Sequence, residues 1–231
     1  MTAMTHWKDS VRTVGSTPAL GDHIVAELRR LIVAGQLQAG ARLVESDLSE
    51  TFQVSRGPVR DALRHLETEG LVESRRGGTY VVGLSLGDIE ELYVLRELLE
   101  SAAIRISIAA GTTDYPAARQ ALDAMRQAAA EGDVDAFAVA DLDFHSSFYV
   151  TAGNRRLRAT WLQYRPTFAN MLRITNAEDR DLSPTLRDHE QFLHLIEQQD
   201  TTGALALLEE HIQGSRRRML DAYRHLSTTT R

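Results

Sequence analysis

The residues with the clearest capacity for chemistry are Asp141 and His145, four positions apart in a helix-period stretch from Asp133 to Thr151. On a helical wheel both lie within about 60° of the apolar positions of this stretch, so both point towards a hydrophobic core. A buried charge is costly unless it is neutralised, paired or bound to a metal. The spacing i, i+4 also allows two helix side chains to converge on one ion. The pair is therefore a candidate for metal binding.

Two later helices repeat this pattern. His189 lies on the apolar face of the stretch over 184–199, whereas His194 of the same stretch points away from that face. His211 likewise shares an apolar face in the stretch over 201–223. A lone His on an apolar face is usually a core residue hydrogen-bonded to a neighbour, but a neutral core has no reason to select this combination. We therefore predict one metal site with four ligands: Asp141, His145, His189 and His211.

Three imidazoles and a carboxylate suit a borderline divalent ion. Zinc is the ion that we expect, and nickel, cobalt and manganese stay open as alternatives. The chain has no cysteine, which excludes thiolate ligands and disulfides. Open coordination positions at such a site could hold a ligand, or could activate water in a metal-dependent hydrolase. No further Glu or Asp stands out as a general base, so we favour ligand binding and expect no enzyme.

Composition limits the classes of protein to which the chain can belong. Its 231 residues allow one or two domains with proper cores. The net charge of −6 argues against a nonspecific nucleic-acid binder, since attraction to phosphate needs positive charge. The first 17 residues lack the apolar segment of a signal peptide, and no apolar run approaches the roughly 20 residues of a membrane span. We expect a cytoplasmic protein without a membrane partner.

The N-terminal part of the chain shows the order of a winged helix-turn-helix. The expected elements are a helix over 22–34, a strand over 42–45, helices over 46–52 and 55–69, and strands over 71–74 and 79–82. Ser46 and Ser55 are expected to cap the two middle helices. Glycines between the last two strands permit the positive φ angles of a hairpin turn.

The second helix of this motif carries Arg56, Arg60 and Arg64 at four-residue intervals beside its apolar face. A recognition helix enters the major groove by its N-terminal end, where Arg can bond guanine bidentately, so Arg56 and Arg60 are best placed. A solvated charged face paired with neighbouring carboxylates is the alternative. Residues 18–83 contain eight Arg against nine Asp plus Glu, so this region depends on the placement of charge rather than its amount.

Several of these segments resemble the DNA-binding domain of GntR-family bacterial transcription regulators. They are Arg42-Leu43-Val44-Glu45, Leu48-Ser49, the run over 54–63, Glu69-Gly70-Leu71-Val72 and Arg76-Gly77-Gly78. Three later segments resemble the helical ligand-binding domain of the FadR-like subgroup, in the branch that keeps a metal. They are the run over 141–145, Asp188-His189 and Glu210-His211. The two resemblances together cover about residues 19–225.

The resemblance implies roles for particular residues. Ser55, Arg56, Gly57 and Arg60 would contact a double-stranded DNA operator, and Gly77 would bring the wing to the minor groove. One position departs from the family pattern, because Ser46 stands where the family often has an Arg that reaches DNA. The DNA sequence that this protein prefers need not therefore be the one that is usual in the family.

Arg96 lies in the middle of a helix expected to run from a capping box, Ser85 with Asp88, to about Ala110. This helix is apolar almost all round, so we expect it to be buried on most sides, inside a bundle or at a subunit contact. Arg96 either pairs with Glu100 at i+4 or binds a ligand carboxylate in the metal cavity, the role that the resemblance implies. Two further pocket candidates come from the later helices: Asn154 and Arg173.

The prediction is a mainly α protein with an N-terminal winged helix-turn-helix and a C-terminal all-α antiparallel helical bundle. The expected divisions are a tail over 1–18, the DNA-binding domain over 19–83, the effector-binding domain over 84–226 and a tail over 227–231. We expect a homodimeric repressor that binds an inverted-repeat operator and senses a small organic acid through the metal. A metal-dependent hydrolase and a metal-free regulator of acyl ligands stay open as alternatives.

Overall fold

A computed structural model of the chain describes residues 18–178 and 181–229. Residues 1–17 of the predicted N-terminal tail, which was expected to cover 1–18, lie outside the described residues. The first part of the chain forms three helices and a small sheet: α1 (Pro18–Val33), β1 (Arg42–Leu43), α2 (Glu45–Thr51), α3 (Arg56–Thr68), β2 (Val72–Arg75) and β3 (Gly78–Val81). The predicted winged helix-turn-helix is therefore confirmed.

The hairpin of β2 and β3 forms the wing, and β1 pairs with the outer side of β3. All pairs are antiparallel, in the order β1-β3-β2, and the β2–β3 register joins Arg75 to Gly78. The turn needs glycine, because φ is +110° at Gly77 and +143° at Gly78, values that L side chains rarely adopt. Helix α1 packs on α3 beneath this sheet, and their apolar faces supply the core of the domain.

Three local predictions about this domain need correction. Helix α1 begins at Pro18, four residues before the predicted start at Asp22. Val44, not Ser46, is the N-cap of α2, and the Ser46 hydroxyl instead donates to Asp47 Oδ1 at 3.0 Å. Ser55 does occupy the N-cap of α3, but its side chain makes no capping hydrogen bond. Cap prediction fails here because neighbouring polar side chains compete for the same short-range bonds.

The second part of the chain is entirely helical, as predicted. Its helices are α4 (Leu86–Ala109), α5 (Pro116–Glu131), α6 (Val134–Thr151), α7 (Arg155–Glu178), α8 (Ser183–Glu197) and α9 (Thr201–Thr229). The predicted capping box of α4 is present, with Asp88 N donating to Ser85 Oγ at 3.1 Å and Ser85 N donating to Asp88 Oδ2 at 2.7 Å. Helix α9 continues past residue 226, where we expected the C-terminal tail to begin.

Within a single chain, helix α4 is buried on one face, and the coverage of its other sides by a subunit contact stays a prediction. Its buried face carries Arg96 and Glu100 among apolar residues, whereas Val94 and Leu98 on the opposite face are 51% and 65% exposed. Within the described residues, we find no helix with both the length and the apolar character that crossing a membrane requires.

Helix α7 joins the helical domain to the end of α3. Gln163 Nε2 donates to the Thr68 carbonyl at 3.3 Å, and Thr167 Oγ1 donates to Glu69 Oε2 at 3.4 Å. Glu69 also accepts from Arg29 Nε at 2.7 Å and Nη2 at 2.5 Å, and both of these side chains are buried. A carboxylate at the C-cap of α3 thus links α1, α3 and α7.

Replacing Glu69 should destabilise the fold strongly, since Glu69→Ala leaves the Arg29 guanidinium buried without its partner. Breaking a buried pair in this way costs about 3–5 kcal/mol. The control is Arg30→Ala, which removes a pair with Glu27 that is exposed on both sides and should cost about 1 kcal/mol or less. Urea unfolding followed by circular dichroism measures both free energies, and equal losses would contradict the assignment.

Candidate metal centre

The candidate site begins on α6. Asp133 caps this helix by accepting from Ala136 N at 2.9 Å, which sets where the helix starts. Asp141 and His145 then fall on the buried face, 1% and 2% exposed, in contact with aromatic rings such as Phe144. The local sequence therefore places two ionisable groups one helical turn apart inside the apolar core.

Helices α8 and α9 bring two more imidazoles to this point, so all four predicted ligands meet. The ligand atoms of Asp141, His145, His189 and His211 all lie within 4.8 Å of one another. Asp141 Oδ1 is 3.7 Å from His145 Nε2, and Asp141 Oδ2 is 3.6 Å from His189 Nε2. His194 is exposed, as its position on the helical wheel indicates.

The hydrogen bonds around the cluster determine which ring nitrogens face inward. His189 Nδ1 is 2.7 Å from the Thr185 carbonyl, which can only accept, so Nδ1 carries the proton. His145 Nδ1 lies 2.5 Å from Glu100 Oε2, so the carboxylate faces this outer nitrogen at ion-pair distance. His145 Nε2 and His189 Nε2 are thereby turned towards each other and lie 3.1 Å apart, a distance at which a proton or a cation lies between them.

A cluster of imidazole nitrogens around a carboxylate is typical of a site that binds a cation. Burial lowers the pKa of His189, and it lowers the pKa of His211 well below its ordinary value, so both rings are held neutral. Asp141 Oδ1 and His211 Nε2 are buried and form no hydrogen bond within the described residues. Imidazole nitrogens and a carboxylate at such distances repel unless a positive charge lies among them. The donor set therefore fits a divalent ion.

Glu100 is a site residue that the sequence analysis did not recognise. Its Oε1 accepts from Arg96 Nε at 2.6 Å while its Oε2 holds His145, so both oxygens are engaged. Burial by itself would raise the pKa of Glu100, yet the charges of His145 and Arg96 lower it to about 2. The sequence indicated no Glu or Asp as a general base beside the site, and it gave Glu100 only as a possible partner of Arg96. The sequence feature that indicates Glu100 is its pairing with Arg96 at i, i+4 on an otherwise apolar helix face.

Arg96 makes the predicted pair with Glu100, and its second role, binding of a ligand carboxylate, stays a prediction. It pairs with Glu100, and its Nη2 also lies 4.0 Å from Asp141 Oδ1, at the edge of the cluster. Burial opposes its charge, but the carboxylates of Glu100 and Asp141 raise its pKa, so it stays a cation. Its guanidinium carbon is 5.8 Å from the centroid of the Phe168 ring on α7.

Two buried donors near the cluster have no hydrogen-bond acceptor among the described residues. They are Arg96 Nη2 and the hydroxyl of Tyr149. Burial raises the pKa of Tyr149, so the phenol keeps its proton, and the charges of Glu100 and Arg96 both act on it. The sequence analysis missed Tyr149, although it follows Asp141 and His145 at the same four-residue spacing.

The space beside the cluster is small. A cavity of about 10 Å³ is lined by residues of α6, α8 and α9: His145, Asp188, His189, Phe192, Leu207, Leu208 and His211. This is about the volume that one water molecule needs. A larger guest enters only if lining side chains move.

The structure does not bring Asn154 and Arg173 to the cluster. Asn154 is exposed and caps α7, accepting from the backbone N–H groups of Arg156 and Leu157 at 3.1 Å. Arg173 is exposed, its Nε lies 2.9 Å from Asp135 Oδ1, and it lines a different, open groove of about 640 Å³ along α5 and α6. Both have a structural role that accounts for their polarity.

The residues expected to contact DNA are all exposed, at the start of α3 and at the tip of the wing. They are Ser55, Arg56, Gly57, Arg60 and Gly77. Arg60 is held by Glu45 of α2, with Nη2 3.1 Å from Oε2.

Comparison with known proteins agrees with this division of the chain. Residues 20–82 match the bacterial regulatory proteins of the gntR family, and residues 91–214, more than half of the chain, match the FCD domain. The chain belongs to the GntR family. It is a DNA-binding transcription regulator with an N-terminal GntR helix-turn-helix domain and a C-terminal FCD domain.

Individual GntR-family proteins are similar to this chain over most of their length. The gluconate operon transcriptional repressor of Bacillus subtilis (strain 168) is 27% identical over 194 residues, 80% of this chain and 79% of the relative. The Uxu operon transcriptional regulator of Escherichia coli (strain K12) is 29% identical over 219 residues, 85% of each. A GntR family regulator from Pseudomonas syringae pv. tomato str. DC3000 superposes with a TM-score of 0.55 at 28% identity, covering 96% of this chain and 94% of that one.

Proposed function

We propose that this GntR-family regulator is a homodimeric repressor whose affinity for an inverted-repeat operator depends on a small organic acid bound at a divalent metal site. The observation that carries the proposal is the convergence of four candidate ligand atoms within 4.8 Å of one another, from Asp141, His145, His189 and His211. Zinc is the proposed ion, with nickel, cobalt and manganese as alternatives.

Asp141, His145, His189 and His211 would hold the ion, and two neighbours would hold the rings. The Glu100 carboxylate and the Thr185 carbonyl each bind the outer nitrogen of one imidazole, which presents Nε2 to the site. Outer partners of this kind orient metal ligands and increase their basicity. A bound divalent ion supplies positive charge to which a carboxylate oxygen is attracted.

Arg96 and Tyr149 are the proposed partners of the acid. Both have a buried donor without an acceptor in the described structure, and a ligand carboxylate offers the oxygen atoms that such donors need. The repressor from Bacillus subtilis is named for the operon of an organic acid, gluconate, which supports the same class of effector. The exposed residues Asn154 and Arg173 are not included in this site.

The two alternative functions have less support. As a general base in a hydrolase, Glu100 is weak, because its pKa is about 2 and both its oxygens are engaged. A long acyl chain needs an apolar cavity, whereas the cavity beside the cluster measures about 10 Å³. A small acid also exceeds this volume, so its entry requires the lining side chains to move, and a long chain requires a larger movement.

Helix α7 offers a physical connection between the site and the DNA-binding domain. Phe168 contacts the Arg96 guanidinium, while the preceding residue, Thr167, contacts Glu69 at the end of α3. A ligand that displaces Arg96 therefore acts on a helix that touches the recognition helix. Coupling requires only that the acid binds two conformations with different affinity.

The purified protein should carry about one divalent ion per chain, and Asp141→Ala or His189→Ala should lose it. His194→Ala is the matched control, because it removes an exposed imidazole from the same helix as His189. Plasma mass spectrometry gives the metal content, and a chelator should lower the melting temperature of the wild type, since binding to the native state adds stability. The proposed site would be contradicted if the purified protein contained no metal and chelator left its melting temperature unchanged.

Arg60→Ala should cost about 1–3 kcal/mol per half-site and relax the base preference at one position, if Arg60 binds a guanine. Fluorescence anisotropy on duplexes selected from a random library measures this, over a range of salt concentrations. A contact to phosphate would instead weaken all sequences alike and flatten the salt dependence. Binding that is indifferent to both Arg56 and Arg60 would refute the proposed recognition helix.

Arg96→Lys should weaken acid binding strongly while leaving the metal bound, because Lys keeps a charge against Glu100 but lacks the planar fork. In the wild type, a matching acid should change operator affinity by roughly 5–150-fold, and operator should change acid affinity by the same factor. The measurement is a calorimetric titration of small carboxylates into both proteins, with and without operator. Equal acid affinity in the two proteins would restrict Arg96 to its pairing with Glu100.

A further inference from the structure

We infer that Glu45 is a positioning residue for DNA recognition, which holds the Arg60 guanidinium so that its free edge meets a base. This inference rests on the proposed role of Arg60 in reading the operator. Glu45 is the first residue of α2, the helix that precedes the recognition helix. No DNA role for this position followed from the sequence analysis.

The two side chains meet in a fork. Arg60 Nε donates to Glu45 Oε1 at 3.3 Å, and Arg60 Nη2 donates to Glu45 Oε2 at 3.1 Å. A guanidinium has five N–H donors in one plane, and this arrangement uses only its lateral edge. The end edge, formed by Nη1 and the second hydrogen of Nη2, stays available. That edge has the geometry for bidentate bonds to guanine O6 and N7.

The pair is too exposed to serve stability. The Arg60 side chain is 53% exposed and that of Glu45 is 38% exposed, and ion pairs of this kind contribute little to folding. The backbone of Glu45 is fixed within α2, where its carbonyl accepts from Ser49 Oγ at 2.7 Å. The effect of the pair is to restrict Arg60 to one orientation before DNA arrives, which reduces the entropy lost on binding.

The other two arginines of this helix face are held less firmly. Arg64 Nη1 lies 3.8 Å from Asp61 Oδ1, a distance beyond a hydrogen bond, and both side chains are more than 70% exposed. Arg56 acts on Glu45 only through its charge. Within the described residues of α3, Arg60 is thus the arginine that a carboxylate grips with two hydrogen bonds.

The charge of Glu45 gives the inference a distinctive consequence. A carboxylate close to the DNA-facing surface repels phosphate, so it weakens binding to any duplex. Its hold on Arg60 sharpens the choice of base. Removing the charge of Glu45 should therefore have two opposite effects. The preference for guanine at the contacted base pair should fall, while the affinity for an unrelated duplex should rise. Loss of local structure would lower both.

The test compares Glu45→Gln with Glu50→Gln, a control that removes the same charge from an exposed position of the same helix. Duplexes selected from a random library by the wild type are used, with and without replacement of the guanine whose preference Arg60→Ala abolishes. The wild type should prefer guanine by roughly 5–150-fold, the range of one bidentate pair. Glu45→Gln should lose most of this preference and bind an unrelated duplex more tightly, whereas Glu50→Gln should keep the preference.

Two further variants separate the possible failures. Glu45→Gln combined with Arg60→Ala should discriminate no better and no worse than Arg60→Ala alone, and Glu45→Asp should fall between wild type and Glu45→Gln. Unchanged preference in Glu45→Gln, or an equal loss in Glu50→Gln, would overturn the inference while leaving the role of Arg60 intact. If Arg60→Ala itself has no effect on preference, the proposed recognition helix fails and this inference fails with it.

Discussion

The ionised Glu100 carboxylate, buried inside the helical domain, is the constraint on which the arrangement of the site depends. A charge in this position is tolerated because Arg96 and His145 each bind one of its oxygens. The same two bonds determine what the partners present to the cluster. His145 turns Nε2 inward, and Arg96 is left with a free Nη2 near Asp141. One carboxylate therefore orients both the His145 ring, a proposed metal ligand, and the Arg96 guanidinium, a proposed partner of the acid.

Helix α7 extends the influence of this pairing to the DNA-binding domain. Consecutive residues point in different directions on a helix, and here Phe168 meets Arg96 while Thr167 meets Glu69. Glu69 is itself a buried carboxylate with an arginine partner, Arg29. A buried carboxylate paired with an arginine thus occurs twice, once beside the proposed effector site and once at the end of the recognition helix.

The sequence predicted the order of elements and the inward direction of the four candidate ligands. Both depend on local periodicity, because a side chain's face on a helix follows from its position alone. Boundaries were less accurate: α1 begins earlier than expected, and Ser46 does not cap α2. Helix ends depend on short-range hydrogen bonds for which several polar side chains compete, so composition alone does not select the cap. Apolar residues on nearly every side of α4 likewise do not show which of those sides the rest of the chain covers.

The amino-acid order by itself determined the two-domain plan, the family resemblance and the presence of one Asp and three His on apolar faces. Only the tertiary structure decided that Glu100 reaches His145, that the buried Tyr149 hydroxyl finds no acceptor among the described residues, and that Arg60 is held by Glu45. Asn154 and Arg173 show the converse error, since the sequence suggested both as pocket residues and the structure places both on the surface. The physical reason is the same throughout. Periodicity fixes the direction of a side chain on its own helix, whereas the distance between atoms on different helices depends on how those helices pack.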